Sequence, residues 1–287
     1  MKILVTGANG QLGNEIRLLS AKYKSWQFIF SDIDTLDLSN AAGTENFLTI
    51  ERPTYLINCA AYTAVDKAET DTKTALMVNA SAPKLLAKLS KKLQYKLIHI
   101  STDYVFSGRH YMPYTEEDKT KPGSAYGKTK LQGEQNVMGH TDAIIIRTSW
   151  LYSKFGNNFV KTMLRLGNEK DSIGVVCDQV GSPTNAADLA KAILGIITFS
   201  EENRSWKPGI YHFSNEGVAS WYDFACEIMT MGNRKCSVKA IATAEYPLPA
   251  PRPAYSVLNK SKIKQAFGIK IPYWRESLAE VVEYLKK

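Results

Sequence analysis

Through the first half of the chain, short apolar runs alternate with stretches whose apolar positions recur every three to four residues. "KILVTG" (2–7), "WQFIFSD" (26–32), "YLINCAAY" (55–62), "KLIHISTDYVF" (96–106) and "AIIIRTSWLY" (143–152) are near-continuous runs. Strands covered on both faces read this way. Between them, "QLGNEIRLLSAKY" (11–23), "TENFLTIE" (44–51, stopped by Pro53) and "TKTALMVNASAPKLLAKLSKKL" (72–93) carry the helical period. Strand–helix alternation predicts an α/β fold: a Rossmann-like, doubly wound parallel sheet with right-handed crossovers.

After about Trp150 the rhythm changes. "NNFVKTMLRLG" (157–167), "NAADLAKAILGII" (185–197), "SWYDFACEIMTMG" (220–232) and "SLAEVVEYLKK" (277–287) read as helices, and "GIYHFSN" (209–215) as a strand. "EYPLPAPRPAY" (245–255) is a proline-rich loop, too short to be a linker. The expected layout is a Rossmann domain over residues 1–150, with segments near 175–215 returning to it. Residues 151–287 are mainly a smaller, mixed α/β C-terminal substrate-binding domain. No repeat and no low-complexity tail interrupts this.

Composition narrows the class. The chain has 287 residues, with 44% hydrophobic and 22% charged, ordinary for a globular protein with a real core. No apolar run is long enough for a membrane span, and the start lacks a secretory pattern. Cys59, Cys177, Cys226 and Cys236 are scattered without CxxC spacing, which suits reduced thiols in a cytoplasm. The four histidines are isolated, so no zinc site is expected. The net charge of +8 favours anionic partners: a nucleotide cofactor, a diphosphate substrate or nucleic acid. No basic block interleaved with aromatics stands out, so nucleic acid is the weakest of these.

"VTGANGQLG" puts Gly7, Gly10 and Gly13 directly after a strand and at a helix start. Glycine there permits a tight turn and close backbone approach to a pyrophosphate, and the helix N-terminus offers free N–H groups. The second strand ends near Asp32, placed to meet the adenosine ribose, with Asp34 as the alternative. An acid there favours NAD over NADP. Ala60 and Ala61, after the third strand, are small enough to pass under a cofactor, with Tyr62 and Thr63 near its ribose or phosphates.

"SAYGKTK" (124–130) carries Tyr126 and Lys130 four residues apart, hence on one helix face. The ammonium is expected to lower the phenol's pKa, so that Tyr126 hands a proton to a carbonyl oxygen as hydride arrives at carbon. Lys130 is also placed to hydrogen-bond nicotinamide ribose hydroxyls. Thr102 lies just past the fourth strand, at the sheet edge where open α/β folds bind ligands, and its hydroxyl suits a developing oxyanion. Ser101 adjoins it. The strand period should point only one of the two into the site, and Thr102 is the choice. Trp150 ends the fifth strand at the ligand edge, whereas Trp221 opens a helix and reads as packing.

The strings "TGANGQLG", "NCAAYTAVDKAE", "STDYVFSG", "YGKTKLQGE", "RTSWLY", "NNFVKTMLRL" and "PAPRPAYSVLN" resemble the extended short-chain dehydrogenase/reductases, within them the branch that reduces 4-keto dTDP-sugars. The resemblance spans nearly the whole chain. It implies that Thr102, Tyr126 and Lys130 form the catalytic set, with Tyr126 the proton donor. It implies NADPH or NADH as cofactor, contacted by Gly10, Gln11, Leu12, Asp32, Asp37, Leu38, Ala61, Tyr62 and Thr63. Thr102, Asp103 and Trp150 would lie against the sugar, and Arg252 is the candidate for the substrate diphosphate, a surface arginine being the alternative. The implied reaction is reduction of dTDP-4-dehydro-6-deoxy-L-mannose to dTDP-L-rhamnose. Some members of the family dimerise through magnesium on C-terminal glutamates. Here Glu280 and Glu283 read as a solvated face, so no metal is expected, and a monomer or homodimer is. The alternatives are another sugar-nucleotide 4-ketoreductase or epimerase, and a non-catalytic NADP-binding subunit.

Overall fold

A computed structural model describes residues 1–286. Lys287, the end of the predicted closing helix, lies outside the described residues. The first half runs β1 (Lys2–Thr6), α1 (Gln11–Ser20), β2 (Gln27–Ser31), α2 (Ala41–Glu51), β3 (Tyr55–Asn58), α3 (Thr72–Leu76), α4 (Ala82–Leu93), β4 (Lys96–Thr102), α5 (Ala125–Met138) and β5 (Ile144–Thr148). The second half adds β6 (Leu151–Tyr152), α6 (Phe159–Glu169), β7 (Ser172–Val176), β8 (Val180–Gly181), β9 (Thr184–Asn185), α7 (Ala186–Glu202) and β10 (Gly209–His212). It continues with β11 (Ala219–Ser220), α8 (Trp221–Met231), β12 (Ser237–Ile241), α9 (Ser261–Phe267) and α10 (Trp274–Leu285).

Six strands form one parallel sheet in the order β10-β5-β4-β3-β1-β2. The order in which strands are added reverses between β1 and β3, which opens the crevice used by ligands in such sheets. Alternation splits the buried strands between two cores. Ile3, Val5, Ile57, Ile98, Ile144 and Ile146 face α1 and α7, while Leu4, Leu56, Leu97 and Ile145 face α2, α4 and α5. A third core, with Phe224, Ile228, Trp274 and Leu278 at its centre, joins α6, α8, α10 and β7. Helix α7 and strand β10 return to the main sheet, β10 pairing with β5.

Local chemistry moves several predicted ends. Asn40 accepts from Gly43 N–H and starts α2 three residues before Thr44. The long helix predicted over 72–93 is interrupted by a π turn at Met77–Ser81, where the buried Asn79 side chain bonds the backbone of Tyr62 in both directions. The fifth strand stops at Thr148 because Trp150 takes a left-handed φ of 48°, and the chain resumes as β6. The short strands β7, β8, β9, β11 and β12, and helix α9, were not legible as periodic runs.

Helix α5 packs unusually close to its neighbours. A Cβ at Gly127 would stand 2.3 Å from the Tyr104 carbonyl oxygen, and one at Gly133 would stand 2.1 Å from that of Asn79. Both contacts are backbone, so neither can yield cheaply. Gly133→Ala is expected to destabilise the fold by about 1–3 kcal/mol as α5 is pushed off the π turn, read as a lower urea midpoint with the slope unchanged.

Candidate active site

A cavity of about 600 Å³ opens at the carboxyl edge of the sheet. Gly7, Gly10, Gln11, Leu12 and Gly13 line it. Thr102, Asp103, Tyr126, Lys130 and Trp150 line the same cavity, as do Ala61 and Thr63.

The glycine loop is built for a ligand rather than for its own side chains. Gly7 has φ 65°, and a Cβ there would stand 2.6 Å from the Ala60 nitrogen. Gly10 caps α1 with extended backbone and no side-chain cap bond, so the first turn keeps free N–H groups. That cradle fits an anionic pyrophosphate. Asp32 does not line the cavity. Its Oδ2 accepts from Asn9 N–H (2.8 Å) and its Oδ1 from Ile33 N–H (2.8 Å), so it braces the loop from β2. Asp37 lines a separate hollow between the β2 loop and α2, and Leu38 packs on the α2–α4 core. Tyr62 does not line the main cavity, since its hydroxyl donates to Asp71 (3.2 Å).

Helix α5 carries the reactive pair. Ser124 accepts from Gly127 N–H (3.1 Å) and starts the helix, whose buried stripe runs Tyr126, Lys130, Gly133, Glu134, Val137. A stripe at this spacing is normally apolar. Here it holds a phenol, an ammonium and a carboxylate. Lys130 Nζ donates to the Ile100 carbonyl at 2.7 Å. Burial pulls its pKa down to about 8, with the Glu134 charge opposing.

Two expectations need correction. Tyr126 is not made more acidic: burial pushes its phenol up to about 12, which the Thr102 hydroxyl only partly offsets. The spacing places both groups on one face, but the ammonium points at the strand carbonyl. The strand period also fails to separate Ser101 from Thr102, and both line the cavity. Thr102 is the last strand residue, and the chain turns there into a 3-10 segment, Asp103–Val105. Thr102 Oγ1 donates to Asp103 Oδ1 (2.9 Å) and accepts from Tyr104 N–H (3.2 Å).

Trp221 is not packing alone. Its ring stacks on Trp150 with centroids 3.7 Å apart and also lines the cavity. The left-handed backbone at Trp150 turns its indole over Gly181, where a Cβ would sit 2.7 Å away. Asn158 and Gly156 were missed as wall residues. Asn158 caps α6 and donates from Nδ2 to Gln11 Oε1 (3.1 Å), joining the second half of the chain to the glycine loop. Its helix-cap position was readable in the sequence, its reach to Gln11 was not. Arg252 does not reach the cavity wall. Nη1 and Nη2 donate to Asp66 Oδ1 and Oδ2 (2.9 and 2.7 Å), so a carboxylate already fills its bidentate face.

Among the described residues, no group of three or more His, Cys, Asp or Glu is placed to hold a metal ion, and no helix is long and apolar enough to cross a membrane.

Burial raises the Asp103 carboxyl to about 6, partly countered by hydrogen bonds from neighbours including Thr102. A raised acid holds its proton in the folded chain, so stability falls as pH climbs from about 4 to about 6 and then levels. Asp103→Asn keeps an acceptor for Thr102 and removes that fall. Urea denaturation from pH 4 to 8 is expected to show the variant gaining on the parent with rising pH, approaching about 3 kcal/mol.

A family model described as the RmlD substrate binding domain matches residues 1–287. A dTDP-4-dehydrorhamnose reductase of Aggregatibacter actinomycetemcomitans is 39% identical over 290 aligned residues, covering 99% of each chain. The crystal structure of a dTDP-4-dehydrorhamnose reductase from Clostridium acetobutylicum superposes with a TM-score of 0.94 at 44% identity and full coverage of both chains. That of the Bacillus anthracis enzyme in complex with NADP gives 0.93 at 38%, covering 100% of this chain and 99% of that one. With a parallel sheet, a glycine cradle and the Tyr126–Lys130 helix all facing one cavity, the chain belongs to the RmlD substrate binding domain family.

Proposed function

We propose that this chain is a dTDP-4-dehydrorhamnose reductase, reducing the 4-keto group of dTDP-4-dehydro-6-deoxy-L-mannose to give dTDP-L-rhamnose. The observation that carries the reading is one cavity shared by the glycine cradle, Thr102, Tyr126 and Lys130. Relatives of that name, matched over almost their whole length, support it. A relative solved with NADP supports the nicotinamide cofactor, NADPH or NADH.

Gly10, Gln11 and Leu12 would hold the pyrophosphate, and Ala61 and Thr63 the chain between it and the nicotinamide. Asp32 would shape the loop, with Asp37 and Leu38 toward the adenosine end. When bound, the cofactor supplies the hydride. Thr102 hydrogen-bonds the keto oxygen and Tyr126 Oη gives it a proton as negative charge develops. The O–H bond of the phenol breaks and that of the new alcohol forms. Lys130 donates to the ribose and offsets the phenolate left behind. Asp103 and the Trp150–Trp221 stack wall the sugar. Arg252 would reach a diphosphate only by leaving Asp66. Residues 151–287 serve mainly as the substrate-binding part, apart from the α7–β10 segment that returns to the sheet.

Initial rates test this. NADPH should be consumed only when the keto sugar nucleotide is present, and kcat/KM should fall above about pH 8 as Lys130 loses its proton. Tyr126→Phe is expected to cut kcat by about 10²–10⁴-fold while NADPH affinity stays nearly unchanged. A variant that kept most of its rate would remove Tyr126 as the proton donor. A parent protein that binds NADPH yet turns over no keto sugar would favour a non-catalytic subunit instead.

A further inference from the structure

One turn beyond Lys130, the same buried face of α5 carries Glu134. A lysine and a glutamate at this spacing ordinarily pair. These two do not. Arg147 Nε donates to Glu134 Oε1 at 2.9 Å and Nη2 donates to Oε2 at 2.8 Å, and both side chains are at most 3% exposed. Lys130 Nζ goes instead to the Ile100 carbonyl. Arg147 is fixed from its other side as well. Its Nη1 lies 3.4 Å from His212 Nε2 and its guanidinium 5.0 Å from the Phe106 ring centre. His212 Nδ1 lies 3.1 Å from the Tyr114 carbonyl, so Nδ1 carries the proton and Nε2 accepts from Arg147. Burial, then the Arg147 charge, holds that imidazole neutral, with a pKa near 3.

We propose that Arg147 is a positioning residue: by occupying both Glu134 oxygens it leaves the Lys130 ammonium free for the cavity. One turn away, the Glu134 charge favours the protonated amine. This rests on the reading that Lys130 serves a bound nicotinamide cofactor. The groups that act on Lys130 are Cys59 after β3, His99 on β4 and Glu134 on its own helix, with Tyr126 one turn before it on α5 and Arg147 of β5 bound to Glu134. Burial pushes the Cys59 thiol and the Tyr126 phenol up to about 12 and holds His99 well below its usual value. All three are therefore neutral between pH 6 and 9.5, which leaves Glu134 as the charge acting on Lys130, with Arg147 acting through it.

Opposite shifts follow, which a merely structural role would not produce. The NADPH dissociation constant, read by protein fluorescence from pH 6 to 9.5, and kcat/KM with the keto sugar nucleotide would be compared across variants. Glu134→Gln should move the alkaline fall to lower pH. Arg147→Met should move it to higher pH and weaken NADPH binding at neutral pH by about tenfold, the size of one lost charge-assisted hydrogen bond, as Glu134 captures Lys130. The double variant leaves neither member of the Glu134–Arg147 pair buried without the other, so it carries the test if a single variant fails to fold. It should fall at lower pH than the parent with NADPH affinity restored. Shifts in the same direction, or none, in variants with native circular dichroism and a cooperative melt overturn the proposal. Should the parent bind NADPH without turning over the sugar, the functional reading fails, while the binding profiles still decide the role of Arg147.

Discussion

The bond from the Lys130 ammonium to the Ile100 carbonyl ties helix α5 to the central strand, and much of the molecule is arranged around it. A buried cation is expensive unless it is hydrogen-bonded and electrically compensated. Meeting that demand needs α5 seated tightly among its neighbours, which Gly127 permits at the Tyr104 carbonyl and Gly133 at the π turn. It also needs polar company. On the face of the sheet toward α5, the side chains are apolar at Leu4, Leu56 and Leu97. They become polar at Thr6, Asn58 and His99, one step nearer the carboxyl edge. Thr6 donates to Asn58 Oδ1 (2.8 Å), and Asn58 Nδ2 lies 3.0 Å from His99 Nδ1. The next tier holds Ser101, Arg147 and His212 in register. The sheet thus changes from core to site along its own strands.

The second half of the chain is attached at that same edge. Strand β5 would continue past Thr148 if Trp150 kept an extended backbone. Its left-handed turn redirects the chain into β6, which pairs with β9. The same turn aims the Trp150 indole at Trp221 from the third core. The Asn158–Gln11 bond joins α6 to the glycine loop along the same cavity. The cavity is therefore walled by both halves, and strain at one residue both breaks a strand and builds the wall.

What the sequence disclosed divides along physical lines. Apolar runs, the glycine loop and the Tyr126–Lys130 spacing were legible because each is a local periodicity or a local steric need. The five first-half strands and the cavity position of Gly10, Thr102, Tyr126 and Lys130 followed from them. The π turn was hidden because the apolar period runs through it unbroken, and its cause is a side-chain bond from Asn79 to Tyr62, 17 residues away in sequence. The pairing of Arg252 was hidden for a similar reason. Its partner, Asp66, is 186 residues distant, and no spacing rule connects them. The acidity of Tyr126 failed differently: a helix period fixes the face a side chain shares, but not where a four-carbon amine points.

That last correction bears on the direction of the proposed chemistry. A phenol held near 12 keeps its proton at neutral pH, so the resting site contains an acid rather than a base. Oxidation of an alcohol would need the phenolate. Reduction needs the phenol, and it needs that phenol only when hydride has turned the keto oxygen toward an alkoxide, which is more basic than any phenolate. Proton transfer is then downhill even from a weakly acidic tyrosine. In the proposed reaction Lys130 would lower the energy of the phenolate once it forms, an effect absent from the neutral ground state and present in the transition state, where stabilisation raises the rate. Burial that looks adverse to an acid–base residue therefore favours this one, because it suppresses premature ionisation and leaves the charge of Lys130 to act when the proton moves.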